Sequence, residues 1–328
     1  MNSLSKAGLA AAAAAALLGL FAVRANAEPS GLEYDQIRWN SADPASHPPG
    51  GFQTDLAAIK TALLNGELGS ADSRKRVAEI FKEAADPKRR LEMSALGRIP
   101  GVGILGVLIA SRAFEVKLRS ELIGPVEAQV KAFRLEQQLG KWYHVTYFKG
   151  WTRREDVSNQ TVLIVKPDQD KRIYLDLALK TYSTSSANKP GLSDASTRAV
   201  LCSPSTTVNR GVQVLDTVST DIFETTFTGS SLSVVLTRYE SPYTEPPKRD
   251  LDGNLIPLDC PGATHTGPAM PIDRVALYEV TVTRAGARSL STVAEEGNIA
   301  PTDPDPALFE VPDGFVPKTS PLDMIRHP

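Results

Sequence analysis

Between Lys141 and Leu177 four short runs rich in β-branched and aromatic residues alternate with polar breaks: Lys141 to Tyr147, Gly150 to Glu155, Thr161 to Lys166 and Arg172 to Leu177. Residues of this kind fit a pleated, half-buried surface, and Pro167-Asp168-Gln169-Asp170 marks a turn because proline presets φ. Later segments continue the pattern at Ile222 to Thr228, Leu232 to Tyr239 and Arg274 to Thr283. Phe223 and Phe227 alternate with Glu224 and Thr226, and Ala276, Tyr278, Val280 and Val282 share one face. Such alternation predicts an antiparallel sheet with one covered and one wetter side. The alternation in Phe114-Glu-Val-Lys-Leu-Arg predicts another strand, Gly124-Pro125 a turn after it, and Val130 to Leu139 the return. A last short strand and turn are expected in Leu308 to Phe315.

The N-terminal third reads differently. Glu28 to Gly51, rich in Pro, Gly, Ser and Asp, is expected to be an extended lead-in rather than a core element. From Thr54, Leu56, Ile59, Leu63 and Leu64 recur at helical spacing until Asn65-Gly66. A second helix is expected from Ser73, with Val77, Ile80, Phe81 and Ala84 on one face and Asp86-Pro87 as its end, and a third segment from Lys88 to Leu96. Ile99 to Ala110 is apolar and glycine-rich but too short to span a bilayer, which takes about 20 helical residues. Its Gly101-Val-Gly103-Ile-Leu-Gly106 matches the dinucleotide fingerprint, yet no strand leads into it and no βαβ repeat surrounds it. A buried connector is the expectation, and a mobile flap over an apolar cavity the alternative. No cofactor is implied.

The first 27 residues read as an address: Lys6 supplies a short positive region, Ala7 to Val23 is uncharged, and Ala25-Asn26-Ala27 suits signal peptidase. Cleavage is expected after Ala27, with delivery to the periplasm and no transmembrane segment in the mature form. The whole chain has a formal net charge of -2, and loss of Lys6 and Arg24 with the signal makes it more acidic. A mildly acidic chain has no basic excess for phosphate backbones, which argues against a nucleic-acid partner. In an oxidising compartment Cys202 and Cys260 are expected to form a disulfide worth about 4 kcal/mol for a loop of this size.

No constellation in the chain points to catalysis. His144 lies mid-strand, where a structural or half-exposed role is expected, and His327 is next to the chain end. His265, with Asp250 or Asp259, lacks the spacing that fixes metal-ligand geometry, so no metal site is expected. Asp250-Leu-Asp252-Gly253 has its glycine too early for a calcium loop, and Gly229-Ser230-Ser231 does not make a nucleophile elbow. One cluster suits a ligand: Trp151, Arg153 and Arg154, beside Lys149, join an amphipathic ring to cations that would attract an anionic head group. An ordinary solvated strand face, with Glu155 and Asp156 as neighbours, is the alternative.

The order of these parts resembles a known family. Lys149-Gly150-Trp151-Thr152-Arg153-Arg154-Glu155, then Ile164-Val-Lys-Pro167-Asp168, Tyr174-Leu-Asp176, Lys180-Thr-Tyr182 and Leu308-Phe-Glu-Val-Pro-Asp-Gly-Phe315 are similar to turns and strands of the periplasmic lipoprotein carriers of the LolA and LolB type. The resemblance covers about Arg112 to Lys318; the helical N-terminal extension and the insert carrying both cysteines depart from it. It implies a mainly β (α+β) fold, a curved, half-open antiparallel barrel with helices over its open side and an apolar concavity. The organisation expected is a signal peptide at 1–27, a lead-in and helical region at 28–111, the carrier-like β domain at 112–318 and a tail at 319–328. The function expected is non-enzymatic binding or carriage of an acyl-chain or other apolar ligand in the envelope. The alternatives are a protein-interaction module with a filled barrel and an envelope partner, then an envelope hydrolase.

Overall fold

The computed structural model describes residues 30–40, 43–69, 71–85, 103–187, 203–229, 232–244, 264–268 and 274–318. The strands, in chain order, are β1 (Gly31–Asn40), β2 (Lys141–Phe148), β3 (Trp151–Asp156), β4 (Thr161–Lys166), β5 (Lys171–Asp176), β6 (Thr181–Ser185), β7 (Ser205–Leu215), β8 (Val218–Thr228), β9 (Ser233–Thr244), β10 (His265–Thr266), β11 (Arg274–Ala285), β12 (Arg288–Thr302) and β13 (Val316–Pro317). The helices are α1 (Phe52–Leu64), α2 (Ala71–Ala85) and α3 (Gly103–Leu139). All the strands join one open, curved sheet in the order β10-β7-β8-β9-β11-β12-β1-β2-β3-β4-β5-β6-β13. Every pairing is antiparallel except the two-residue contacts of β10 with β7 and of β13 with β6. The mainly β, half-open architecture expected from the sequence is what the chain adopts.

The hairpins follow their turn residues. Lys149 and Gly150, at φ 48 and φ 92, make the two-residue link between β2 and β3, and positive φ at both positions is what a type I′ turn demands. Pro167 opens a 3-10 turn after β4, and Asp170 closes it in the left-handed region. Asp216 and Thr217, also at positive φ, link β7 to β8 in the same way.

Three expectations are corrected. Gly31–Asn40 is no lead-in but a central strand, paired with β12 on one side and β2 on the other. Phe114 to Leu139 is not a pair of strands around a turn, because Gly124 and Pro125 lie inside α3. Six alternating residues are outweighed by a longer run of good helix formers, and Ala132, Leu135, Glu136 and Leu139 turn to the protein at helical spacing. Gly140, at φ +89, ends the helix as its N–H bonds to the Glu136 carbonyl. The last strand comes later than expected: Pro306–Phe309 is a 3-10 turn, and β13 follows at Val316–Pro317.

Position 112, where the β domain was expected to begin, lies within α3, and Gly103–Ala110 of the apolar glycine-rich stretch forms its first turns. The signal segment, the third helical segment at 88–96, both cysteines, His327 and the tail at 319–328 fall outside the described residues.

Helices α1 and α3 pack on one face of the sheet. In α1, Phe52, Leu56, Ile59 and Ala62 are buried against Ile37 and Trp39 of β1, Tyr278 and Val280 of β11 and Val293 of β12. Leu135 and Leu139 of α3 join the same cluster. Further along this face Phe309 is fully buried on Val162, Ile164, Ile173 and Leu175 of β4 and β5. The opposite face has its own buried group, Leu32, Tyr34, Val145 and Val275, with Tyr143 and Tyr147 beside it.

One carboxyl at the sheet–helix junction gives the fold a pH dependence. Glu295 is 2 % exposed, and its Oε1 accepts hydrogen bonds from the Gly50 and Gly51 N–H groups at 3.0 and 3.3 Å. Burial outweighs these bonds and pushes its pKa from 4.5 to about 7. The folded state then holds this proton more tightly than the unfolded chain. The stabilisation is therefore complete below about pH 4.5 and is lost as pH rises through 7, a change of about 3 kcal/mol at 1.36 kcal/mol per unit. Glu295→Gln keeps an acceptor for both glycines and should flatten that stretch of a denaturation-against-pH curve. An unchanged slope would assign it to other groups.

Candidate functional site

Strand alternation separates the residues expected to act together. Register across β2, β3 and β4 puts Trp151 and Arg153 on the helix-bearing face and Arg154 on the opposite one. Trp151 is committed to packing: its ring lies against Phe148 and Phe309, its Nε1–H donates to Asp168 at 2.7 Å, and the Lys166 ammonium sits 4.2 Å from its centroid. Lys166, fully buried, also pairs with Glu310. Arg153 pairs with Glu155 at 2.8 Å on the same face. Arg154 instead stacks on Tyr143, its guanidinium carbon 3.7 Å from the ring centroid, and its buried Nε has no hydrogen-bond partner.

Around Arg154 the opposite face forms a cleft of about 430 Å³. Tyr143, Leu163 and Tyr174 line it from this face, and Arg154, Asp156, Asp176 and Lys318 bring its charges. Arg154, Leu163, Tyr174 and Ser183 stand side by side on β3, β4, β5 and β6, so the cleft runs across the strands. At the usual spacing of paired strands that row is about 14 Å long. Both acids in the cleft are already partnered. Asp176 pairs with Arg74 of α2 at 3.4 Å and caps the Leu179 N–H, while Asp156 accepts from Asn159 at 2.9 and 3.0 Å and lies 3.9 Å from Lys141.

The histidines are held by other groups. His144 Nδ1 lies 3.1 Å from Asp35, which also accepts from Trp142 at 3.0 Å and Asn298 at 2.8 Å. The bond to Asp35 raises the His144 pKa against the effect of burial. Burial opposes the Asp35 charge, but the bonds from His144, Asn298 and Trp142 hold its carboxyl below the usual range. His144 is thus anchored mid-strand, as its position suggested. His265 Nδ1 lies 3.0 Å from Ser205 Oγ and its Nε2 lies 3.2 Å from the Pro268 carbonyl, at the end of the sheet. Among the described residues no three His, Cys, Asp or Glu side chains converge as a metal site, and no helix is long and apolar enough to cross a membrane.

Arg154 was singled out in the sequence, but the residues around it were not. Tyr143, Leu163 and Tyr174 sit in strands correctly placed, and counting alternate positions from Arg154 through the hairpins would have gathered them. Lys318 carried no such signal.

No family model matches the chain, and no curated protein does. Two solved structures are similar to it at low scores. The lipoprotein LppX of Mycobacterium tuberculosis shares 14% identity over 52% of this chain and 79% of its own, with a TM-score of 0.27. A DUF1329 family protein from Desulfovibrio piger shares 11% over 52% and 82%, with a TM-score of 0.22. Likenesses this weak assign the chain to neither family, and its reading rests on its own cleft.

Proposed function

We propose that this protein binds an amphipathic, acyl-chain ligand non-enzymatically in the cleft across β3 to β6, and that it does so in the periplasm after cleavage behind Ala27. One observation carries the reading: a 430 Å³ cleft whose lining includes tyrosines and leucine, with an arginine at one end whose buried Nε has no hydrogen-bond partner. Ligand sites of this kind are concave, largely apolar and furnished with a few polar groups that fix orientation. Of the residues singled out in the sequence, Arg154 belongs to this site, while Trp151 and Arg153 support the sheet from behind.

A lipophilic dye that brightens on leaving water should gain fluorescence with the purified protein and be displaced by dodecanoic acid. Leu163→Trp, which fills the middle of the row, should weaken the dye about tenfold, the scale of losing one well-packed apolar contact. A flat titration of the wild-type protein would remove the cleft as a ligand site.

A further inference from the structure

The sheet face that carries the cleft is unusually rich in arginine. Arg38, Arg154, Arg172 and Arg238 all point to it by register. Arg238 is satisfied, with Glu240 at 2.8 Å and Glu279 at 3.0 Å. The other three each have a buried Nε without a hydrogen-bond partner, and Arg172, 7 % exposed, has a buried Nη2 in the same state. Buried guanidinium groups normally recruit carboxylates, since an uncompensated buried charge is costly. Here the acids nearest the cleft are taken by Arg74, Asn159 and Lys141, and Glu279 is taken by Arg238.

Arg38 and Arg154 are neighbours as well. Burial lowers the Arg38 pKa first, and the Arg154 charge adds to that effect, partly offset by Glu279 and Tyr143. Arg154 covers the Tyr143 ring, and the buried Nε of each of the two arginines has no hydrogen-bond partner. An anion held by both guanidinium groups would relieve their repulsion, and planar guanidinium forks suit carboxylate and phosphate oxygens.

We propose that Arg38 and Arg154 form the seat for an anionic head group, a carboxylate or phosphate, whose apolar chain lies over Leu163 and Tyr174. This rests on the cleft being a ligand site and adds which class of ligand it takes. The protein selects acidic amphiphiles over neutral ones of equal length. The apolar body holds the ligand and the arginine pair sets its direction.

The test is a set of isothermal titrations of the full exported chain with dodecanoate, 1-dodecanol, butyrate and inorganic phosphate, all below micelle-forming concentrations. The wild-type protein is expected to prefer dodecanoate to dodecanol by about tenfold or more, the scale of one charge-assisted hydrogen bond. In Arg38→Gln/Arg154→Gln that ratio should fall to within about twofold, and Arg154→Lys, which keeps the charge but not the fork, should retain part of it. Thermal unfolding of each variant shows whether it is folded. A wild-type ratio near one, with both long-chain ligands bound, overturns the head-group seat and leaves the cleft standing. A preference that survives in the folded double variant overturns it too. Binding of butyrate or phosphate as tight as that of dodecanoate would mean a free-anion site and overturn the amphiphile. Binding of none of the four overturns both readings.

Discussion

Trp39→Ala should destabilise the protein by about 3 to 5 kcal/mol, the range for deleting a fully buried indole. Trp39 is 1 % exposed near the end of β1, within the cluster formed by α1, β11 and β12. Its ring stacks on His47 with centroids 4.4 Å apart, and Gly140 closes on it so tightly that an added Cβ would lie 2.8 Å from the indole. A cavity there cannot be filled by one neighbour, because the ring is held by a loop, a helix end and the sheet together. Trp39→Phe should cost far less, since the indole Nε1–H is buried without a partner and loses nothing when removed. Urea titration of the two variants provides the comparison. A loss below about 1 kcal/mol for Trp39→Ala would place β1 outside the core.

Arg238→Met should cost a similar amount for a different reason. Arg238 and Glu240 are 3 % and 0 % exposed and lie 2.8 Å apart, with Glu279 on the other side of the guanidinium. Removing the cation leaves the Glu240 carboxyl buried without its partner, which typically costs about 3 to 5 kcal/mol. Replacing both, Arg238→Met with Glu240→Leu, should recover most of that loss, because the pair's mutual attraction mainly offsets its own desolvation. A double variant as unstable as the single one would show that Glu240 is not what suffers when Arg238 is removed.

The sequence revealed the hairpins because their evidence is local: Lys149-Gly150 and Pro167 to Asp170 are turns by their own chemistry. It concealed β1 because that strand is buried on both sides. Leu32 and Tyr34 face one way and Ile37 and Trp39 the other, so no single two-residue period runs through it. β12 was hidden similarly, since Glu295 and Glu296 are buried polar residues in the stretch that pairs with β1. α3 looks like strand locally because six of its 37 residues alternate in polarity. As for the site, Arg154 stood out as a cation in a strand, but nothing local connects it with Arg38, which the β1–β2 pairing brings to the same face.

The position of β1 also governs how the molecule can assemble in time. Its neighbour on one side, β2, belongs to the next sheet strands along the chain, but its neighbour on the other side is β12, and Gln36 hydrogen-bonds to Glu296 across 260 residues. Contacts so distant are formed late, since a long loop must close before they contribute. A growing or refolding chain is therefore expected to form a half-sheet of β1 to β6 first, whose β1 edge would offer unpaired N–H and C=O groups. The edge that β12 must eventually occupy is open meanwhile to any other strand, including the β1 of another copy. Refolding yield should then fall as protein concentration rises, and a short peptide with the sequence of β12 would compete for that edge only before the native partner arrives.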